Sequence, residues 1–441
     1  MLRRWGSSGI PNPGHVDDYP SQTADVEHRP GLRDKPADLC RRWTTLCGPL
    51  GVSVYLAGFA LPLPWDLPLM LLVVMSLPAI LLSNRPGSSP WPPLSLGVLG
   101  FVATTGLATL GSADLGRSLH IGAALLPAIL LFFLIAEHFP DLRATRLLYL
   151  TFCVVVLGLA VALLWGVWKA GGRPPSVSTV LAVHSPILLV PNDSTFLAVL
   201  APMVLVMLYQ RPRSLGGVLA ALALLLSGGV IVLLRSRTAL LTMIISLTCA
   251  VALLRPRRRL VFALACALTL PILALLIDGC LGFPLMAKFV HQWHGSGRLS
   301  LWRAAWAMFL DAPWLGHGPH TYVQLYRSYL YEMGLPSPSR ISPWAHNLYL
   351  EVLAERGIVG FLALESLLVY ALIAAWRTQR RAAGEAQRLG AGAIAGLIGF
   401  CSAAVVELTF LRQWVVVVLF ILLGVIAHLI ASQSMRQKEE I

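Results

Sequence analysis

Twelve stretches of nearly unbroken apolar sequence constrain this chain more than any other feature. They cover residues 43–61, 65–82, 94–110, 118–139, 147–168, 194–209, 215–234, 238–254, 260–281, 347–376, 389–406 and 411–430. Each is close to the ~20 residues a helix needs to cross a hydrocarbon core. Of the 441 residues, 56% are hydrophobic and 12% charged, and the mean hydropathy is +0.72. A soluble chain of this size carries about twice that charged fraction. The fold class expected is therefore an all-α membrane protein of about twelve transmembrane helices. A polar loop over 282–346 separates the ninth and tenth spans. Residues 1–42, rich in Pro, Gly, Asp and Arg, are expected to be a disordered tail, and the first apolar run begins too late for a signal peptide. The parts in order are tail 1–42, spans 43–281, loop 282–346, spans 347–430 and a second tail, 431–441.

The net charge of +13 is not a nucleic-acid footprint, because the basic residues sit in short loops between spans. Arg41, Arg42, Arg85, Arg143, Arg146, Arg211 and Arg213 fall on one side. So do Arg255, Arg257, Arg258, Arg259, Arg377, Arg380, Arg381 and Arg388. The positive-inside rule makes that side cytoplasmic, together with both termini. Residues 235–237 and the 282–346 loop then face outward. The seven cysteines show no paired spacing, and Cys153, Cys249, Cys266 and Cys401 lie within apolar segments, so neither a disulfide framework nor a thiolate metal site is expected.

The joint between the loop and the tenth span holds a His-Asn pair. Ser342 and Pro343 are suited to opening a helix, which would put His346 in the first turn. There the helix dipole disfavours an imidazolium, and a neutral imidazole beside an anion-favouring helix end can serve as a general base. The alternative is an interfacial histidine that anchors a helix end.

Three other places carry polar residues where the topology faces outward. Asn192 and Asp193 precede the sixth span, as an ordinary N-cap would or as groups that orient other polar side chains. Arg235 and Arg237 sit between two spans on the side not favoured for positive charge. They either snorkel to the interface or use their planar forks on phosphate oxygens at the N-terminus of the eighth span. Gly295 and Gly297 free the backbone to present N–H groups to an anion, with Arg298 following. From there Leu299, Trp302, Trp306, Phe309 and Leu310 recur at helical spacing, with Arg303 between them, as in an amphipathic helix at the membrane surface. Tyr322, Tyr326, Tyr329 and Tyr331 form a ring-bearing helical face, suited to sugar contact or to packing on the bundle. His291, His294, His317 and His320 make two His-x-x-His pairs. Asp311 and Glu332 are isolated, so no metal site is expected.

Taken together, these motifs resemble the O-antigen ligase and O-antigen polymerase superfamily of bacterial inner-membrane glycosyltransferases. The likeness rests on His346-Asn347-Leu348-Tyr349-Leu350-Glu351 with Glu355 and Gly357-Ile358-Val359-Gly360. It also rests on Ser236-Arg237, Gly297-Arg298 with Trp302, Pro313-x-x-Gly316-x-Gly318, and the Asn192-Asp193 pair. The resemblance implies a bundle similar to lipid-linked glycosyltransferases of the GT-C kind. It implies an undecaprenyl-diphosphate-linked O-antigen as donor and, for a ligase, lipid A–core oligosaccharide as acceptor, with no metal or other cofactor. On the matching positions Arg237 and Arg298 carry over as diphosphate ligands with Arg235 as their neighbour, and His346 as the catalytic residue. Asn192, Asp193, Asn347, Arg303 and Tyr322 are candidates for supporting roles. A polymerase would use the same donor with a second lipid-linked glycan. A protein O-oligosaccharyltransferase would be expected to carry a soluble extension after the last span. A transporter would need polar groups at mid-membrane, where Glu365 and Glu407 are among the few exceptions to apolar spans.

The topology predicts that a cysteine at Ser337 (Ser337→Cys) reacts with an impermeant thiol reagent added to intact spheroplasts, while one at Ala383 (Ala383→Cys) does not. The opposite labelling would remove the outward-facing site.

Overall fold

A computed structural model describes residues 48–58, 69–75, 93–169, 192–234, 236–254, 297–336 and 344–439. Among these there are helices and no strands. From residue 93 onward the helices are α1 (Pro93–Leu110), α2 (Leu115–Gly122), α3 (Leu126–His138), α4 (Leu142–Lys169), α5 (Asn192–Gln210) and α6 (Leu215–Leu233). They continue with α7 (Arg237–Leu254), α8 (Arg298–Asp311), α9 (Tyr322–Glu332), α10 (Leu348–Arg381), α11 (Gly384–Ala404) and α12 (Gln413–Glu439). Five of them (α4, α6, α7, α10 and α12) are long and apolar enough to cross a membrane, and α1, α3 and α5 are shorter apolar helices. The ninth apolar stretch, 260–281, lies outside the described residues, as do large parts of the first two.

Every residue of α12 from Trp414 to Leu429 is buried. A helix apolar on all sides belongs in the middle of a bundle, and α12 packs there against α3, α10 and α11. The neighbouring α11 is built for close approach. A Cβ at Gly392 would stand 3.0 Å from the Tyr149 and Val206 side chains, and one at Gly396 would stand 3.0 Å from Leu422. Three- and four-residue spacing puts Gly392, Gly396 and Gly399 on one face, where small residues let helix backbones meet. Cys153, Cys249 and Cys401 are free thiols, Cys153 buried.

Three sequence expectations change in detail. The fourth apolar stretch is not one helix: α2 ends at Gly122, a 3-10 turn covers Ala123–Leu125, and α3 starts with Pro127 in its first turn. A proline has no N–H to continue the preceding helix, so the chain restarts there. At the other end, α12 runs on to Glu439 without a break at residue 430.

The third change bears on the site. Helix α10 is broken at Gly357, which has φ 61° and ψ −168°. The segment 312–318 fills the break. His317 N–H donates to Ala354 O (3.1 Å) and Gly318 N–H to Glu355 O (2.9 Å), while Ile358 N–H donates to Pro313 O (2.8 Å) and Val359 N–H to Trp314 O (3.3 Å). These are the carbonyls and amides that would have bonded to each other in an unbroken helix. The backbone cost of the break is therefore offset group by group. Such close approach needs glycine on both sides. A Cβ at Gly316 (φ 67°) would run into the Glu355–Arg356 peptide, and one at Gly357 into the Trp314 carbonyl. The first two turns of α10 are thereby separated from its membrane-crossing part.

Gly357→Ala is expected to lower stability well beyond the ~1–2 kcal/mol of a left-handed helical residue, because Gly357 combines a φ/ψ pair open essentially to glycine alone with the close approach of Trp314. Gly334→Ala should cost about that much and no more, because Gly334 has a positive φ (66°) with open space where its Cβ would stand. Thermal unfolding of the two purified variants in detergent measures the difference.

Candidate functional site

Four helix ends meet at the site. Ser236 sits between α6 and α7, and its Oγ accepts from Ala239 N–H (3.4 Å), an N-cap that makes Arg237 the first residue of α7. Arg298 is likewise the first residue of α8, after Gly297 in a left-handed conformation (φ 65°). Asn347 caps α10, its side-chain oxygen accepting from Leu350 N–H at 3.0 Å. The fourth end is the turn between α11 and α12, which carries Glu407, Thr409 and Arg412.

His346 thus lies one residue outside α10, not in its first turn. The side chain of Asn347 is the cap, and Ser342 and Pro343 lie outside the described residues. His346 adopts φ 55°, a left-handed conformation uncommon for a residue with a side chain and often found where function holds it in place.

Glu407 joins two of the expected site residues. Its Oε2 is 2.8 Å from Arg298 Nη2 and its Oε1 3.5 Å from His346 Nδ1. The carboxylate is 5% exposed. Arg237 lies within electrostatic reach of Arg298. Trp344 donates its indole N–H to His346 Nδ1 (3.1 Å), and the Arg412 guanidinium lies 4.3 Å from the Trp344 ring centre. Two arginines thus occupy the first positions of two helices, where the dipole disfavours positive charge. That arrangement is suited to an anion with several oxygens.

The turn that presents Glu407 is held by α10. Glu351 Oε1 accepts from Thr409 Oγ1 (2.5 Å) and from Phe410 N–H (3.2 Å), so the glutamate five residues after His346 fixes the backbone beside it. Glu355 also acts locally: its Oε1 accepts from Tyr322 N–H (3.2 Å), and its Oε2 is 3.4 Å from the buried Arg356 guanidinium.

Other expected residues fall elsewhere. Tyr322 and Tyr326 are buried and stacked with ring centres 5.4 Å apart, and the Tyr322 hydroxyl donates to Leu301 O (3.1 Å). They form part of the small core between α8, α9 and α10, the packing alternative of the two that the sequence offers. Tyr329 donates to Asp311 (2.6 Å), and Tyr331 is exposed. Arg303 is exposed on α8. Asn192 and Asp193 open α5, but their side chains lie outside the described residues, as do Arg235, His291 and His294. His317 Nε2 is 3.0 Å from Met308 O. Among the described residues no group of three or more His, Cys, Asp or Glu side chains is placed to hold a metal ion.

Glu407, Trp344 and Arg412 are the site residues that reading the sequence missed. A carboxylate in an apolar stretch is a signal in itself. Its partner Arg298, however, lies 109 residues away, and no local spacing names it.

Residues 222–364 match the family model described as O-antigen ligase. The match begins within α6 and ends within α10, so it contains Arg237, Arg298, His346 and the Gly357 break, while Glu407 lies beyond it. The match covers about a third of the chain and is a likeness to that family over this stretch. No curated protein matches the chain.

His320, beside this site, is buried, and burial together with the Arg356 and Arg117 charges pushes its imidazole down to about 3. An unfolded chain takes up that proton near pH 6.5, the folded site only near 3. Between those values the unfolded state holds more protons, so this group lowers stability as pH falls, on the order of 1 kcal/mol per pH unit. His320→Asn, which suits the left-handed backbone at this position (φ 65°), is expected to flatten the dependence over that window. Denaturation midpoints across pH 7 to 4 for the two proteins provide the measurement.

Proposed function

We propose that this protein is an O-antigen ligase, transferring polysaccharide from undecaprenyl diphosphate to lipid A–core oligosaccharide at the periplasmic face of the bacterial inner membrane. The observation that carries the reading is the cluster of Arg237, Arg298 and His346, on three helix ends, within the stretch that matches the ligase family model. Arg237 and Arg298 bind the donor diphosphate and offset the charge that develops on it as it leaves, a preorganised electrostatic contribution worth several kcal/mol. His346 takes the proton from the acceptor hydroxyl through Nε2, since Nδ1 is turned toward Trp344 and Glu407. The hydroxyl oxygen attacks the anomeric carbon from the face opposite the diphosphate, the bond from that carbon to the phosphate oxygen breaks, and the configuration inverts. A lipid diphosphate is already a good leaving group, so the reaction calls on no metal or nucleotide.

His346→Asn tests the assignment while keeping a residue at ease with positive φ. Donor binding is expected to stay near wild type while transfer falls by about 10²–10⁴-fold. Arg298→Lys keeps a charge but loses the two-pronged contact, and it should weaken donor binding as well. Binding and transfer of purified lipid-linked glycan, measured side by side, separate the two. Loss of donor binding in His346→Asn, or transfer near wild type, removes the general-base role. A deletion strain that attaches a single repeat to core, instead of no polymer at all, would make the protein a polymerase.

A further inference from the structure

The reaction above leaves Glu407 without a part, although it touches two of the residues that do have one. The ring nitrogen nearest to it has two neighbours with opposite demands. An indole N–H only donates, so the 3.1 Å contact from Trp344 makes His346 Nδ1 an acceptor. A neutral ring in that state carries its proton on Nε2 and has no lone pair there to receive another. The tautomer able to act as a base at Nε2 carries its proton on Nδ1 and needs an acceptor beside it. Glu407 Oε1 is that acceptor, yet it stands 3.5 Å away, beyond a good N–H···O bond, while Oε2 is held at 2.8 Å by Arg298. The carboxylate is engaged with the arginine and out of reach of the histidine by a few tenths of an ångström.

We propose that Glu407 is a positioning residue that changes partner when donor binds. A diphosphate competes with the carboxylate for the Arg298 guanidinium. Glu407, released on that side, closes onto His346 Nδ1–H, and the lone pair then lies at Nε2, facing the acceptor. The ring is neutral before and after: the Nε2 proton leaves to solvent and one from solvent arrives on Nδ1. The base is therefore set by the donor, and an acceptor hydroxyl is activated only where there is a sugar to receive it. On the Glu407 side only the side chain has to move, because Glu351 pins Thr409 and Phe410 two and three residues further on, while the Trp344 indole N–H has to turn away from the newly protonated Nδ1. The inference rests on His346 and Arg298 having the roles assigned under the proposed function.

Nitrogen-15 NMR of histidine-labelled full-length protein in nanodiscs reads the tautomer directly, with undecaprenyl diphosphate as the added probe and the His346 signals identified by their loss in His346→Asn. The expected result is a protonated Nε2 without the probe and a protonated Nδ1 with it. The same tautomer under both conditions overturns the proposal. A kinetic arm uses Glu407→Gln, close in shape but uncharged. Donor binding should hold or tighten, because Arg298 loses its competing carboxylate, while transfer falls by about 10²-fold. Glu407→Asp should recover part of it. In a His346→Asn background the Glu407→Gln change should add little, since the two act as one unit. If Glu407→Gln lowers binding and transfer in parallel, Glu407 only anchors Arg298 and the proposal fails. If His346→Asn itself retains transfer, the functional reading fails first. If His346→Asn abolishes transfer and Glu407→Gln does not, only the present inference is lost. The wild-type spectra decide the question even where a Glu407 variant does not fold.

Discussion

The exchange of four backbone hydrogen bonds between segment 312–318 and the break in α10 is what the rest of the site depends on. Broken helices are expensive in a membrane protein, because every freed N–H and C=O needs a new partner. Here the partners come from one short stretch that follows α8. The exchange sets the first turns of α10 apart from its span, and it does so next to the end of α8. Those first turns carry Glu351, which holds the Thr409–Phe410 turn, and Glu355, which receives the start of α9. Removing the break would leave neither carboxylate where it is.

Electrostatics then decides what the assembled ends can bind. Arg237 and Arg298 are like charges within reach of each other, each at the positive end of a helix. Arg412 adds a third cation by way of the Trp344 ring. Glu407 offsets part of this charge. Holding such a cluster together costs free energy that a multiply charged anion would return on binding.

Much of this could be read from the residues. Long apolar runs declare membrane helices, Arg237 stands out as a charge between two spans, and Arg298 stands out by the glycines that precede it. The helix start near His346 is hard to read because two capping signals compete there: Ser342-Pro343 is strong in isolation, but Asn347 makes the bond to Leu350 N–H. The tyrosines of α9 were ambiguous for a related reason, since a ring-bearing face looks the same whether it meets a sugar or α8, and only tertiary packing chose for Tyr322 and Tyr326. The break at Gly357 has a local mark, glycine within an apolar run, but its counterpart at Gly316 is distant in sequence and the pairing cannot be seen without the fold. Glu407 carries no local mark of its role, because a carboxylate among apolar residues says that it has a partner but not which one.

Because segment 312–318 joins α10 through main-chain atoms, the joint is indifferent to most side-chain identities. Trp314 contributes its carbonyl while most of its side chain remains exposed. Arg298 and His346 stand at the far ends of the two short helices that this joint unites. Their spacing is accordingly gauged by backbone geometry, and the outer surfaces of α8 and α9 are left open to drift. A lineage could refit those surfaces to new surroundings without recalibrating the distance between Arg298 and His346.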